Sequence, residues 1–142
     1  MATAYTWNAL RFLVPDGMVD QTVVTFVDNP GQPGFQLTVT ADGRGAQAFD
    51  AFVDAQLVEL ARSLPGYASV SRSDQTVNGR AAVVVEHRAR APQGPTLRQR
   101  QAYLDRGALV ATVTLTVADR AGPAELGRRA DDAFASLLAS ID

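Results

Sequence analysis

His87 is the only histidine of this 142-residue chain, which contains no cysteine and no lysine. Any Ser-His-Asp triad or histidine metal site would have to use it, yet its neighbours Glu86 and Arg88 form no partner motif. Without cysteine or lysine, disulfides, thiolate catalysis and Schiff-base chemistry are excluded. We therefore expect an ordinary sheet residue at position 87, with a binding contact as the alternative. We expect no catalytic residue, no metal site and no cofactor.

A glycine-rich segment at residues 43–48, Gly-Arg-Gly-Ala-Gln-Ala, matches part of a dinucleotide-binding fingerprint. That fingerprint requires a parallel strand after the helix and an acidic ribose ligand about twenty residues on. Glu59 falls inside the predicted helix instead, and the later strands are spaced as hairpins. We interpret the glycines as a turn ahead of a helix. A nucleotide-binding enzyme is the least favoured function.

Four arginines, Arg88, Arg90, Arg98 and Arg100, flank a Pro/Gly loop with no acidic residue between them. In a hairpin they would share one face, and like charges opposite one another are destabilising. The stripe should therefore extend into water or meet an anionic partner. Stacking aromatics are missing, and the net charge of -2 argues against nucleic acid.

The opposite face of the same hairpin, centred near Gly94, carries both apolar and amide side chains. Its predicted members are Val83, Val85, His87, Gln99, Gln101 and Tyr103. Buried glutamines need partners for their donors and acceptors. Two interpretations remain open: a groove for an amphipathic or apolar ligand, or glutamines at a solvated margin of the sheet.

The elements that position these residues follow from hydrophobic periodicity. Strands are predicted at 10–14, 22–27, 35–40, 68–76, 81–89, 97–104 and 108–117. A helix is predicted at 46–64, and a terminal amphipathic helix follows Pro123. The first three strands are predicted to form a meander. Hairpin-length turns between strands indicate one α+β domain over residues 1–142, with a mostly antiparallel sheet packed by the two helices.

The composition is that of a globular protein, with 46% hydrophobic and 20% charged residues. The first residues lack the basic and apolar regions of a secretory signal, so we expect a cytoplasmic location. The strongly apolar runs at 81–85 and 107–111 fall far short of the roughly 20 residues that span a bilayer.

Several segments resemble the DcrB-like domain family. The most specific are Pro-x-x-x-x-Asp-Gln-Thr at 15–22, Leu-Pro-Gly-Tyr at 64–67 and Asn-Gly-Arg at 78–80; residues 12–17, 35–39 and 98–101 add to them. The resemblance runs from about Trp7 to Ser140. Within the family the chain looks most like the short, signal-less Eag chaperones of bacterial type VI secretion.

The resemblance implies a Mog1/PsbP-like α+β fold and a homodimer whose curved sheets form an apolar cradle. In that family the cradle holds the N-terminal transmembrane helices of a toxic effector in the cytosol until the effector is loaded on the secretion spike. Carried over to this chain, it implies a client-binding groove of nine residues: Val23, Thr25, Leu37, Val39, Gln56, Leu60, Leu64, Gln99 and Gln101. For the aliphatic members, a place in the core is the alternative.

The resemblance therefore predicts a chaperone that catalyses nothing, partnered by a type VI secretion effector, with no nucleic acid and no direct insertion into a membrane. The alternative function is a Mog1/PsbP-like scaffold that binds a folded protein through the hairpin from Arg88 to Arg100.

Overall fold

The chain folds in the order ββββαββββα. The computed structural model describes residues 2–7, 9–18, 22–29, 31, 34–91, 94–118 and 124–142. The first half contains β1 (Thr3–Trp7), β2 (Leu10–Val14), β3 (Val24–Val27), β4 (Phe35–Gly43) and α1 (Phe49–Ser63). The second half contains β5 (Ala68–Val77), β6 (Arg80–Arg90), β7 (Thr96–Arg106), β8 (Leu109–Ala118) and α2 (Ala124–Ser140).

The predicted elements are all present, with shifted ends. β4 continues to Gly43, three residues past its predicted end, and α1 begins at Phe49 instead of residue 46. β1 was not predicted. Pro123, the expected start of the terminal helix, lies outside the described residues.

Two antiparallel sheets occur in the described part of the chain. β1 and β2 form a two-stranded sheet, while the six-stranded sheet has the order β3-β4-β8-β7-β6-β5. The meander expected for the opening third is therefore wrong, because β2 and β3 belong to different sheets. β7 and β8 occupy the centre of the larger sheet, and β3 and β5 are its edges.

The turn between β5 and β6 shows how local sequence fixes register. Asn78 and Gly79 have φ angles of 50° and 77°. Two successive residues with positive φ are what a two-residue hairpin turn requires, and Asn-Gly is its preferred sequence. The turn sets the pairing of Val77 with Arg80, and the rest of the β5–β6 register follows as far as a bulge between Ser69 and Ser71.

Helix α2 packs against one face of the six-stranded sheet. Its Ala130 and Phe134 are buried among side chains of the strands, which include Leu37, Val84, Ala102, Leu104, Val113, Leu115 and Val117. β8 alternates threonine with valine or leucine from residue 112 to 117, so Val113, Leu115 and Val117 reach this core while its threonines face the other way.

Helix α1 packs against the opposite face of the same sheet. Phe49, Phe52 and Val53 of the helix are buried with four sheet residues: Val83, Val85, Tyr103 and Val110. This second cluster is smaller than the first, and its sheet residues lie on β6, on the second half of β7 and at the start of β8. The remaining part of that face is where the polar side chains collect.

Candidate functional site

The candidate site is the part of the α1-facing sheet surface that carries hydroxyl and amide groups. We call it the open face and define it by eight residues: Thr25, Gln36, Thr38, Thr40, Gln99, Gln101, Thr114 and Thr116. Strand register places them on one side of β3, β4, β8 and β7. Except for Gln101, which is buried, they are exposed or half-buried.

The open face is organised in rows that cross the sheet. In one row, Thr38 of β4 pairs with Thr114 of β8, which pairs in turn with Gln101 of β7. The next row contains Gln36, Thr116 and Gln99. Successive rows are two residues apart along each strand, a spacing of roughly 6.8 Å.

Hydrogen bonds join the two central strands across these rows. The amide Nε2 of Gln101 donates to Oγ1 of Thr114 at 3.2 Å, and Nε2 of Gln99 donates to Oγ1 of Thr116 at 3.1 Å. The hydroxyl of Tyr103 donates to Oε1 of Gln101 at 3.0 Å. Each glutamine is therefore anchored in the middle of the sheet, and the interpretation that both lie at a solvated margin is wrong.

His87 of β6 pairs with Gln99 and so continues the row that contains Gln36, Thr116 and Gln99. It is fully buried, and its Nε2 lies 2.7 Å from Oε1 of Gln99. Its ring centroid is 5.1 Å from that of Tyr67, which follows α1. In the part of the chain that the structure describes, the ring Nδ1 has no hydrogen-bond partner. The sheet position expected for His87 is confirmed.

Tyr103 is 2% exposed, and this burial raises the pKa of its phenol well above the ordinary value, with a smaller contribution from Tyr67. The phenol therefore remains a neutral donor to Gln101 at physiological pH. The sequence alone placed Val83, Val85, His87, Gln99, Gln101 and Tyr103 on one face, and the β6–β7 register confirms it.

The nine predicted groove residues fall in three places. Thr25, Gln99 and Gln101 lie on the open face. Leu37 and Val39 lie on the other side of the sheet, where Leu37 is 8% exposed in the α2 core and Val39 packs against that core.

The other four predicted groove residues lie outside the sheet ladder. Val23 precedes β3 and is 56% exposed. On α1, Gln56 is exposed and Leu60 is half-buried, as is Leu64 at the C-cap of the helix. The structure thus brings together three polar members of the set, Thr25, Gln99 and Gln101, and leaves Gln56 on α1. It places Leu37 and Val39 on the other side of the sheet.

The arginine stripe meets acidic groups of its own chain. Nη1 of Arg98 lies 2.9 Å from Oδ1 of Asp131 on α2 and 3.3 Å from Oε1 of Glu86. Arg100 reaches the same two carboxylates, at 3.2 and 3.8 Å, and its guanidinium lies 4.9 Å from the centre of the Phe134 ring.

Burial alone would lower the pKa of Arg98, but the hydrogen bond and charge of Asp131, together with Glu86, outweigh it and raise that pKa. The anionic partners of Arg98 and Arg100 thus belong to the chain itself. Sequence reasoning missed both carboxylates, although Asp131 lies three residues before Phe134 on the buried side of α2 and Glu86 lies opposite Arg100 in the hairpin.

The glycine-rich segment at residues 43–48 begins with the last residue of β4 and continues as the loop that leads to α1. The backbone N–H of Arg44 donates to the carbonyl of Ala108, and the Arg44 guanidinium lies 3.2 Å from Asp105. The strand after α1 pairs antiparallel with β6. The dinucleotide-binding interpretation is therefore wrong, because it needs a parallel crossover at this point.

A further hollow, of about 460 Å³, lies at the corner of the sheet formed by β3, β4 and the start of β8. Its apolar lining includes Val24, Val39, Ala41 and Leu109. Within the described ranges, no three histidine or acidic side chains are grouped so that they would hold a metal ion. Neither described helix is both long and apolar enough to cross a membrane.

Residues 10–133 match the family model described as DcrB. The chain is 27% identical over 122 residues to Effector EagT6 of Pseudomonas aeruginosa, an alignment that covers 82% of this chain and 84% of that protein. Both the predicted family and the predicted resemblance to the Eag group are confirmed.

Solved structures show the same architecture. PA94 of Pseudomonas aeruginosa, a protein of unknown function, superposes with a TM-score of 0.78 and 25% identity, covering 99% of this chain and 96% of that one. LpqN of Mycobacterium tuberculosis, involved in cell envelope biogenesis, gives a TM-score of 0.53 at 17% identity over 82% of this chain and 65% of its own. The predicted Mog1/PsbP-like α+β fold is confirmed.

Proposed function

Since the chain belongs to the DcrB family, we propose that it is a cytoplasmic, non-enzymatic chaperone of type VI secretion. Its client is an effector whose N-terminal transmembrane helices rest against the open face and so stay soluble until the effector is loaded on the secretion spike. The similarity to EagT6 supports the association with an effector. The amide and hydroxyl groups of the open face support the proposal that the bound segment is a transmembrane helix.

The observation that carries the proposal is a central, half-buried patch of amides and hydroxyls on a sheet. Helices in membranes associate through close packing at small residues and through amide or hydroxyl hydrogen bonds. Gln99, Gln101, Thr114 and Thr116 offer those groups in two adjacent rows. A fully aliphatic floor would cover a client helix but would leave its polar groups unpaired.

The dimensions of the sheet suit a membrane helix. A transmembrane helix of about 20 residues is about 30 Å long. β4, which contributes three residues to the open face, has nine residues in all and a length of roughly 31 Å. In the proposal, apolar contacts come from two exposed residues at the ends of β3, Val23 and Val27. Half-buried Leu60 on α1 and Leu64 at its C-cap supply further apolar contacts.

We keep Val23, Thr25, Gln56, Leu60, Leu64, Gln99 and Gln101 as the proposed groove and omit Leu37 and Val39, because both face α2. A homodimer is part of the proposal, in which a second copy would enclose the client against the open face. The scaffold alternative is less favoured, because Arg98 and Arg100 are already paired within the chain.

Co-expression tests the proposal. The chain is produced with an effector that bears paired apolar segments of about 20 residues near its N-terminus. We expect a soluble complex with the full effector and none with an effector lacking those segments. The double variant Gln99→Leu, Gln101→Leu should lose the complex, whereas Asp132→Asn, an exposed change on α2, should keep it. An effector that is equally soluble without the chain would refute the proposal.

A further inference from the structure

The two central amides of the open face are both held from behind by buried groups. Oε1 of Gln99 faces Nε2 of His87, and Oε1 of Gln101 accepts the hydroxyl proton of Tyr103. His87 and Tyr103 are 0% and 2% exposed; the Tyr103–Gln101 hydrogen bond is buried and the His87–Gln99 contact is partly buried. Both amide oxygens therefore point into the protein, and both amide nitrogens point along the open face to the threonines of β8.

The ring of His87 decides the direction of its bond with Gln99. A neutral imidazole has one N–H and one acceptor nitrogen. If Nε2 accepted from a reversed amide, the proton would sit on Nδ1, which lacks a partner among the described residues. A buried N–H without an acceptor is costly and rarer than an acceptor with a free lone pair. Nε2 therefore carries the proton and donates to Oε1 of Gln99.

A count of donors shows what remains for a ligand. Each amide NH₂ has two N–H donors, and each uses one on a threonine hydroxyl oxygen. Each amide oxygen faces a buried partner and accepts one hydrogen bond from it, whereas the second N–H of each amide is not needed within these rows. The hydroxyl protons of Thr114 and Thr116 can turn away from the amides, because the hydroxyl oxygens already accept from them. The centre of the open face thus presents donors.

We propose that His87 and Tyr103 are positioning residues that fix Gln99 and Gln101 with their N–H groups outward, so that the open face recognises carbonyl oxygens of the client. This inference rests on the proposed function, in which the open face receives a membrane helix. The carbonyls of such a helix retain a lone pair that is accessible where side chains are small, and the last four have no partner within the helix. A helix with such carbonyls exposed is the favoured client.

The direction of the hydrogen bond between His87 and Gln99 can be measured without a client. ¹⁵N spectra of the histidine ring report which nitrogen is protonated, and His87 is the only histidine. We expect the Nε2–H tautomer at neutral pH, with the Gln99 amide protons close in space to Thr116. A His87 ring protonated on Nδ1 would reverse the Gln99 amide and overturn the inference, whatever the client.

Binding of a defined peptide tests the role of the Gln101 amide. The probe is a synthetic peptide of about 20 leucine and alanine residues with central glycines and lysine ends. Gln101→Glu keeps an acceptor for the Tyr103 hydroxyl but removes both amide donors, so peptide binding should weaken roughly tenfold. Tyr103→Phe frees the amide to turn and should weaken binding about threefold, with the Gln101 amide signals broadened.

The outcomes separate the two proposals. If the wild-type chain does not bind the peptide, the proposed function fails and this inference falls with it. If the wild type binds and Gln101→Glu binds equally well or better, the open face recognises donors, and only this inference is overturned. Asp132→Asn serves as the matched variant, since it removes a carboxylate from an exposed position outside the open face.

Discussion

Nη1 of Arg98 in β7 lies 2.9 Å from Oδ1 of Asp131 in α2, although 33 residues separate them in the chain. The same carboxylate oxygen accepts from Nη1 of Arg100 at 3.2 Å. One acidic side chain on the helix thus pairs with two arginines of a strand, and Glu86 supplies the second negative charge. This contact joins α2 to the sheet and, together with Glu86, offsets the repulsion between Arg98 and Arg100.

Asp131→Asn should lower the free energy of unfolding by about 1–2 kcal/mol, because it removes the charge that Arg98 and Arg100 share. Solvent screening weakens the ion pairs and keeps the loss of stability small, since the Asp131 side chain is 41% exposed. Urea unfolding followed by circular dichroism measures the change. Asp132→Asn, on the exposed side of α2, should change stability by less than about 0.5 kcal/mol. Equal losses in the two variants would contradict the assigned role of Asp131.

Phe134→Ala should destabilise the fold by about 3–5 kcal/mol, because the ring is 1% exposed in the α2 core and its loss leaves a cavity. Phe134→Leu, which keeps most of the buried volume, should cost less. Thermal and urea unfolding provide the measurement. A loss below about 1 kcal/mol for the alanine variant would show that α2 does not pack as described.

Tyr103 should make the fold sensitive to alkali. Its folded-state pKa lies above the unfolded value of about 10, so its contribution is fully present below pH 10 and is lost as pH rises toward the folded pKa. The urea midpoint of the wild type should fall between about pH 9.5 and 11.5. Tyr103→Phe should show a shallower decline over the same range, and parallel curves would exclude the effect.

Asp28 should make the stability of the fold fall as the pH is lowered, whereas Tyr103 makes it fall as the pH is raised. Burial tends to raise its pKa, but hydrogen bonds from the backbone N–H groups of Phe35 and Gly34, together with the charge of Arg129, lower it overall. The stability that Asp28 contributes is present above its unfolded pKa of about 3.9 and is lost as pH falls through the lower folded value.

Acid unfolding of wild type and Asp28→Asn checks this prediction. The variant should be less stable at pH 7, and the difference between the two proteins should shrink as the pH approaches 2. A difference that stays constant over this range would show that ionisation of Asp28 is not involved.

The two glutamines of the open face could be predicted from the sequence because hairpin geometry is a local property, whereas its threonines on β4 and β8 were not predicted. The turn near Gly94 and the two-residue period of strands suffice to place Gln99 and Gln101 opposite the arginines, as the register confirms. The same reasoning could not assign Leu37 and Val39. Alternation separates them from Thr38, but both sides of β4 carry β-branched or aliphatic residues, and only the packing of α2 decides which side is the core.

Long-range pairing was beyond sequence reasoning for a related cause. The Arg98–Asp131 contact depends on how α2 crosses the sheet, which is set by Phe134 and Ala130 fitting between strands. The separation of β1 and β2 from the larger sheet was missed for the same reason, since nothing in residues 10–27 states which strand β2 will pair with. The contact of His87 with Gln99, in contrast, follows directly from the hairpin register.

The two helices lie on opposite sides of a single sheet, and each has its own hydrophobic cluster. Residues beneath α2 can therefore drift during evolution without altering the chemistry displayed on the far surface of the same strands. Relatives with different cargo would be expected to diverge at the threonine and glutamine positions of β4, β7 and β8 while their α2 side varies independently. Under the proposed function, the two faces of a single sheet let stability and the choice of client evolve separately.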